Sequence, residues 1–107
     1  MERLLRRLAL NDEGSVEMVL TGGSDAEPGA MLLPKVDILV RLGALLAVGA
    51  ATTSLKTAVQ RAKLAGATDD EIVGVLIAVA PAVGQARVVS TAPKLASAIG
   101  YDMEEEE

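Results

Sequence analysis

The amino-acid sequence predicts an all-α fold, and three observations support that class. Apolar residues recur at intervals of three and four along most of the chain, which is the period of a helix. Glycine, proline and threonine signals stand where helices of that length begin and end. No segment alternates apolar and polar residues between hairpin turns, as strands do. We therefore expect five or six helices packed as a bundle.

The composition limits the chemistry that the chain can perform. Its 107 residues are half hydrophobic, yet they include no Cys, His, Trp or Phe, and Tyr101 is the single aromatic residue. A chain of this length can bury one core, and that core must be aliphatic. Thiols and imidazoles, the usual groups of nucleophilic, metal and near-neutral acid–base chemistry, are missing. We expect no cofactor and no metal. Because the chain has no Cys, oxidation state does not indicate the compartment, and a cytoplasmic location is taken as the default.

The net charge of −5 is concentrated in one short segment. Asp102 and Glu104 to Glu107 carry five negative charges, whereas the rest of the chain holds ten acidic and ten basic residues. Nucleic-acid binding requires a clustered basic face, and Arg3, Arg6 and Arg7 have the spacing of an ordinary solvent-facing helix side. No uncharged run reaches the length of a membrane span. We therefore expect neither a nucleic-acid nor a membrane partner.

Residues 1–31 are predicted to form an N-terminal helical arm and a loop. Leucines alternate with arginines over Glu2–Ala9, which indicates a short amphipathic helix. The apolar pattern resumes from Ser15 to Leu20, and the glycine- and proline-containing stretch from Thr21 to Gly29 is typical of a loop. At the other end, residues 102–107 are expected to be an acidic disordered tail.

Residues 32–101 are predicted to form the main helical domain. Pro34 is suited to the first turn of a helix, and Gly49 marks its expected end. The next helix is expected from about Thr52 to Ala65, with Gly66 following as a C-terminal cap. Small residues recur along it at intervals of four and three, which favours close helix–helix contact. This seam consists of Ala51, Leu55, Ala58, Ala62 and Ala65.

A capping box opens the following helix. Thr68 can accept a hydrogen bond from the backbone, and Glu71 can reach back to it. The acidic residues from Asp69 to Glu71 are explained by the helix dipole and not by a metal site. The helix itself, Ile72 to about Ala80, is apolar nearly all round, and we expect it to be buried.

Two prolines are expected to interrupt the last part of the domain. Pro81 should end or kink the apolar helix, because proline removes a backbone donor. A final helix is predicted from about Val83 to Ile99, with Pro93 bending or splitting it. Gly100 should close it.

Three stretches carry a resemblance to a known family. They run from Leu33 to Ala47, from Ala62 to Leu76 and from Ser97 to Asp102, and the element AGAT-x-x-E-I in the second is the most specific. Over Leu32 to Tyr101 the chain resembles the carboxymuconolactone decarboxylase-like family, whose relatives include the alkylhydroperoxidase AhpD. The resemblance implies an AhpD-like helical bundle that assembles as a homo-oligomer, a trimer or a hexamer.

The reactive residues of that family are absent here. The redox branch carries Cys-x-x-Cys-x-x-x-His before the AGAT element. In this sequence Ala51 and Ser54 stand at the two cysteine positions, and Ala58 stands at the histidine position. Leu39 stands where the family has a glutamate. The decarboxylase branch usually keeps the histidine, which Ala58 also replaces. Thiol peroxidase chemistry requires a thiolate and a resolving thiol, so this site cannot support it. Ala51, Ser54 and Ala58 stand at i, i+3 and i+7, so we expect them to share one helix face. That face would be a packing surface, or at most an apolar pocket with one hydroxyl.

A few polar residues remain as candidates for a ligand pocket, and no residue is assigned a catalytic role. Thr53, Ser54 and Lys56 could form a small anion or carboxylate pocket at a helix N-terminus; capping hydroxyls and a solvated lysine are the simpler explanation. A Ser54–Lys56 nucleophile pair is disfavoured, because residues two apart on a helix do not face each other. Gln85 and Arg87 could line a cavity, although surface positions or an intersubunit ion pair are commoner for such residues.

Three functions are consistent with this sequence. The leading one is a non-redox, small-molecule-binding homo-oligomer, for which a small organic acid is a candidate ligand. The second is a purely structural or interaction oligomer. The third is an active decarboxylase- or peroxidase-like enzyme that uses non-standard residues, so whether the chain is an enzyme stays open. The homo-oligomer is favoured because the apolar helix and the alanine seam give a small protomer more apolar surface than it can hide.

Overall fold

A computed structural model of the chain describes residues 1–21 and 31–101, and this part is all-α with no strand. The all-α class is therefore confirmed, and six helices are present in the described part. The predicted loop over residues 22–30 and the predicted acidic tail over residues 102–107 lie outside it. The helices are α1 (Glu2–Ala9), α2 (Glu13–Leu20), α3 (Pro34–Val48), α4 (Thr52–Leu64), α5 (Asp69–Val83) and α6 (Gln85–Ile99).

Contacts divide the chain into two compact units, Met1–Met31 and Leu32–Glu107. In the first unit, α1 has no buried residue. Asp12 caps α2 by accepting hydrogen bonds from the Ser15 backbone N–H at 3.0 Å and from the Ser15 hydroxyl at 2.7 Å. The hydroxyl and then the backbone N–H of Ser15 hold the pKa of the Asp12 carboxyl below its usual value.

The second unit is a four-helix arrangement in which α3 packs on α4, α4 on α6, α6 on α5, and α5 on α3. Short connections make successive helices antiparallel, so α4 and α6 run in one direction and α3 and α5 in the other. The core is aliphatic, as expected, and comes mainly from α3 and α4. It consists of Ile38, Leu42, Leu46, Leu55, Ala58, Val59, Ala62, Ala67, Ile72 and Leu95.

The predicted helix signals for α3 and α5 are confirmed. Pro34 is the first residue of α3, and Gly49 ends that helix with a left-handed φ of 72°. In the capping box of α5, the Thr68 hydroxyl accepts from the Glu71 N–H at 3.1 Å and the Glu71 carboxylate accepts from the Thr68 N–H at 2.9 Å. Lys35 donates to the same carboxylate at 3.0 Å and joins the first turns of α3 and α5. The Thr68 N–H and then Lys35 hold the pKa of Glu71 below its usual value.

The expectation that Pro93 would split its helix is wrong, and Pro81 does not end α5 directly. α5 continues through Pro81 to Val83, and α6 is continuous through Pro93. Pro81 stands in the last turn of its helix, and Pro93 is flanked in sequence by the buried residues Thr91 and Leu95, whose packing offsets the missing backbone hydrogen bond. The break between α5 and α6 falls at Gly84 instead, where φ is 90° and ψ is 166°, a conformation open essentially only to glycine.

The expectation that the apolar helix would be buried is also wrong for a single chain. Ile72 is the only buried residue of α5, and the Ile77 side chain is 66 % exposed. The physical reason is that α5 packs mainly against α3 and α6 and only lightly against α4, which leaves much of its circumference uncovered by this unit.

Candidate functional site

The four positions that correspond to the family's reactive residues do not form one site. Ala58 is 5 % exposed and packs in the core with Leu55 and its neighbours. Ser54 and Ala51 are exposed, and Ala51 precedes the first residue of α4 as its N-cap. Leu39, on α3, is half-buried against the core. One position is therefore in the core, two face solvent and one is half-buried on another helix. These four positions do not bring reactive groups together into one site.

The polar cluster at the start of α4 is exposed. Thr53, Ser54 and Lys56 all face solvent. Ala51 provides no side-chain cap, and the hydrogen bond described here runs from the Thr57 hydroxyl to the Thr53 carbonyl at 3.2 Å. None of the three residues lines the concave sites described below. The structure thus brings these side chains to a common helix end without enclosing them.

Arg87 lies against the end of α3, and Gln85 is exposed at the start of α6. A Cβ atom at Gly49 would overlap the Arg87 guanidinium, whose central carbon would lie 3.1 Å away. This places a positive charge at the C-terminus of α3, where the helix dipole favours it. Arg87 also lines a hollow of about 450 Å³ with Val83, Ala86 and Ser90. Of the candidate ligand residues, Arg87 is the one that the structure places beside a concave surface.

An apolar concave surface lies between α3 and α5. This α3–α5 groove has a volume of about 520 Å³. At its floor the two helices are in close contact, because a Cβ atom at Gly43 would lie 3.3 Å from Val75. From α3 it is lined by Val36, Leu39, Val40, Gly43, Ala44 and Ala47. From α5 it is lined by Val75, Ala78, Val79, Ala82 and Val83.

A second apolar groove lies on the other side of α5. This α5–α6 groove has a volume of about 460 Å³, and Tyr101 stands at its edge. Its wall includes Leu76 from α5 and Ile99 from α6. α5 is thus flanked by an apolar groove on each side, and it bears no charged side chain after Glu71.

Sequence reasoning did not identify these grooves, although part of the signal was visible. The run from Ile72 to Ala86 has no charged residue, and valines and alanines repeat along it at intervals of four. That pattern indicated burial but did not reveal which helix would face α5. The pairing of α3 with α5 depends on contacts between residues some 35 positions apart in the sequence, such as Gly43 and Val79.

The described residues offer no other obvious chemistry. Among them, no group of three or more acidic side chains is placed to hold a metal ion, and no helix combines the length and apolarity needed to cross a bilayer. The chain as a whole has no cysteine or histidine. No protein-family model, curated protein or solved structure matches this chain.

Proposed function

We propose that this chain is a divergent, non-redox member of the carboxymuconolactone decarboxylase-like family that works as a cytoplasmic homo-oligomer, with α5 and the α3–α5 groove at the contact between copies. One observation carries the proposal: α5 is uncharged beyond its first turn, yet Ile72 is its only buried residue. Large exposed apolar faces of this kind mark association surfaces in soluble proteins.

The shape of the groove suits a helix of a second copy. Ala44 on one side, and Ala78 and Ala82 on the other, leave room for a helix to approach closely. Val40 is 56 % exposed and Ile77 is 66 % exposed, so they offer ridges that could enter the groove of a partner. A closed symmetric assembly would cover such a face on every copy, and the family resemblance favours a trimer or a hexamer.

The same resemblance would suggest peroxidase or decarboxylase chemistry, but the residues present do not support it. Thiol peroxidase chemistry requires a thiolate, and this chain has no cysteine. Ala58, at the position of the family histidine, is a core residue. The proposed role is therefore association and binding, without electron or proton transfer at the family site.

A second candidate function, small-molecule binding, is favoured by the size and lining of the α3–α5 groove. Its volume of about 520 Å³ falls within the roughly 300–1,000 Å³ of typical ligand pockets. The lining carries no charged group, so it suits an apolar molecule better than the organic acid proposed from the sequence. A carboxylate would find its cation at the Arg87 hollow instead.

Sedimentation velocity over a concentration series tests the proposal. We expect the unmodified chain to sediment as a discrete oligomer and Ile77→Lys to shift it towards the monomer, because a buried unpaired charge opposes association. Leu64→Lys is the matched control, because Leu64 is 89 % exposed but belongs to α4 and not to α5. A monomeric unmodified chain, or equal effects of the two variants, would contradict the proposed interface.

Binding of the hydrophobic dye ANS separates the two candidate functions. If the groove is filled by a second copy, the dye should bind the Ile77→Lys variant more strongly than the oligomer. If the groove is an open ligand site, the oligomer itself should bind the dye at a saturable site, and Ala44→Leu should reduce that binding by filling the groove.

A further inference from the structure

The first unit, Met1–Met31, has almost no interior of its own. Among residues 1–21 the one buried residue is Ser15, and no apolar side chain of that stretch is buried. Its two helices have eight residues each, whereas isolated helices shorter than about 12 residues are marginal in water. Folded units below about 40 residues usually need disulfides, metals or association, and this chain has no cysteine. The apolar side of this unit therefore needs a cover from outside it.

α1 carries that apolar side as one continuous surface. A hollow of about 300 Å³ on α1 is lined by its apolar residues together with Glu2. Leu4 and Leu8 are half-buried, whereas Leu5 between them is 67 % exposed. We call the apolar members of this lining the α1 apolar face, and they are Met1, Leu4, Leu5 and Leu8.

The charges beside this face match those of an antiparallel copy of the same helix. Glu2 lines the hollow, and the Arg6 guanidinium lies 3.8 Å from its carboxylate, with both side chains exposed. Consider two α1 helices packed antiparallel, with Leu4 of each copy opposite Leu5 of the other. Glu2 of each copy then comes within one residue, or about 1.5 Å along the axis, of Arg6 of the other. The surface is thus complementary to itself, as a two-fold contact requires.

The other two arginines of α1 do not oppose this arrangement. Arg3 and Arg7 are exposed, and each is two residues from Leu5, which is about 160° round the helix. They therefore stay in solvent when the apolar faces meet. Antiparallel packing also places the positive N-terminal end of each helix dipole beside the negative C-terminal end of the other.

We propose that the α1 apolar face is a second self-association surface, at which the α1 helices of two copies pack antiparallel about a two-fold axis. A second copy suits this face better than an anionic lipid surface, because residues 1–21 contain four acidic residues and three arginines. The face belongs to the first unit, so the inference goes beyond the contact proposed for α5 and does not rest on it. Where the α5 contact also forms, pairing through α1 joins one closed oligomer to another.

Sedimentation velocity of the full chain carrying Ile77→Lys tests this face separately, because that substitution opposes the contact proposed for α5. We expect this parent chain to dimerise, and Leu5→Lys added to it to raise the Kd by more than about 30-fold. Leu10→Lys is the matched control: Leu10 is 76 % exposed, but it stands five residues after Leu5, about 140° round the helix. A parent that stays monomeric at every concentration, or equal effects of the two variants, would overturn the proposal. If Ile77→Lys leaves the assembly of the unmodified chain unchanged, the α5 contact fails, while the comparison of Leu5→Lys with Leu10→Lys still tests α1.

Two charge variants leave the apolar face intact and test whether the contact joins different copies. Glu2→Arg and Arg6→Glu, each in the parent chain, place like charges opposite one another across the pair. Each variant alone should therefore have a Kd about tenfold higher than the parent.

An equimolar mixture of these two variants should recover most of the association of the parent, because each supplies the charge that the other lacks. Within either single chain, positions 2 and 6 still carry like charges, so a contact inside one chain cannot produce the recovery. Recovery in the mixture would support the antiparallel pairing of α1 helices. A mixture that associates no better than its separate components would overturn it.

Discussion

Replacing Thr91 by valine should stabilise the protein. Thr91 on α6 is fully buried, and its hydroxyl has no hydrogen-bond partner among residues 1–21 and 31–101. An unpaired buried hydroxyl costs about 1–3 kcal/mol in proteins. Valine has nearly the same shape and keeps the branched side chain in the same packing. We therefore expect Thr91→Val to raise the free energy of unfolding by about 1–2 kcal/mol, in contrast to most core substitutions, which lower it.

Urea unfolding followed by far-UV circular dichroism measures this change. Fluorescence is poorly suited, since the chain has no tryptophan and Tyr101 is its only tyrosine. All variants must be compared at one protein concentration, because self-association would couple stability to concentration.

Two further variants make the result specific to the hydroxyl. Thr57→Val replaces an exposed threonine whose hydroxyl donates to the Thr53 carbonyl, and it should change stability by less than about 0.5 kcal/mol. Thr91→Ser keeps the hydroxyl and removes a methyl group, so it should lower stability by about 1 kcal/mol. If Thr91→Val proves neutral or destabilising, the hydroxyl has a partner in solution and the reasoning fails.

Three other predictions concern the end of α3, the start of α5 and the family site. Gly49→Ala should lower the free energy of unfolding by about 1–2 kcal/mol because of the left-handed backbone, and by a further amount of about 0.3–1 kcal/mol because Arg87 is displaced from the helix end. In an Arg87→Ala background the second loss should vanish, and an unchanged loss in this double-mutant cycle would argue against that contact. Because the pKa of Glu71 is lowered on folding, the stability it contributes is complete above its usual pKa of 4.5 and is lost as the pH falls through its folded value; Glu71→Gln should therefore flatten the acid limb of a stability–pH profile, and superimposable profiles would count against the capping box. Ala58→His should lower the free energy of unfolding by about 1–3 kcal/mol through overpacking, whereas Ala51→Cys with Ser54→Cys should change it by no more than about 0.5 kcal/mol. If thermal unfolding shows equal losses for the two variants, Ala58 is not the tightly packed position among the three.

The sequence predicted the helices well where their ends depend on local chemistry. Pro34, Gly49 and the Thr68–Glu71 pair act through their own backbone angles and hydrogen bonds with residues three or four positions away. Such signals are complete within a short window and therefore can be found without knowledge of the fold.

The prolines show where local reasoning failed. Pro81 and Pro93 both carry a real local cost, yet both helices continue through them. That cost is balanced by packing of residues such as Leu95 against other helices, and a local window contains no information about that packing. Gly84 was the more decisive signal, because its positive φ excludes other residues.

The candidate site was the least predictable feature. The spacing of Ala51, Ser54 and Ala58 suggested one shared face, but their surroundings differ because α4 contacts α3 and α6 over only part of its circumference. The grooves beside α5 arise between helices that are far apart in sequence, so their lining could not be identified from the spacing on one helix.

By itself, the sequence determined the helical class, the caps and the absence of thiol and imidazole groups, because composition and short-range hydrogen bonding are properties of the chain alone. Only the tertiary structure decided that α5 remains largely uncovered and that Arg87 lies over the end of α3. These features depend on which helices become neighbours, and that choice is made by the packing of the whole core.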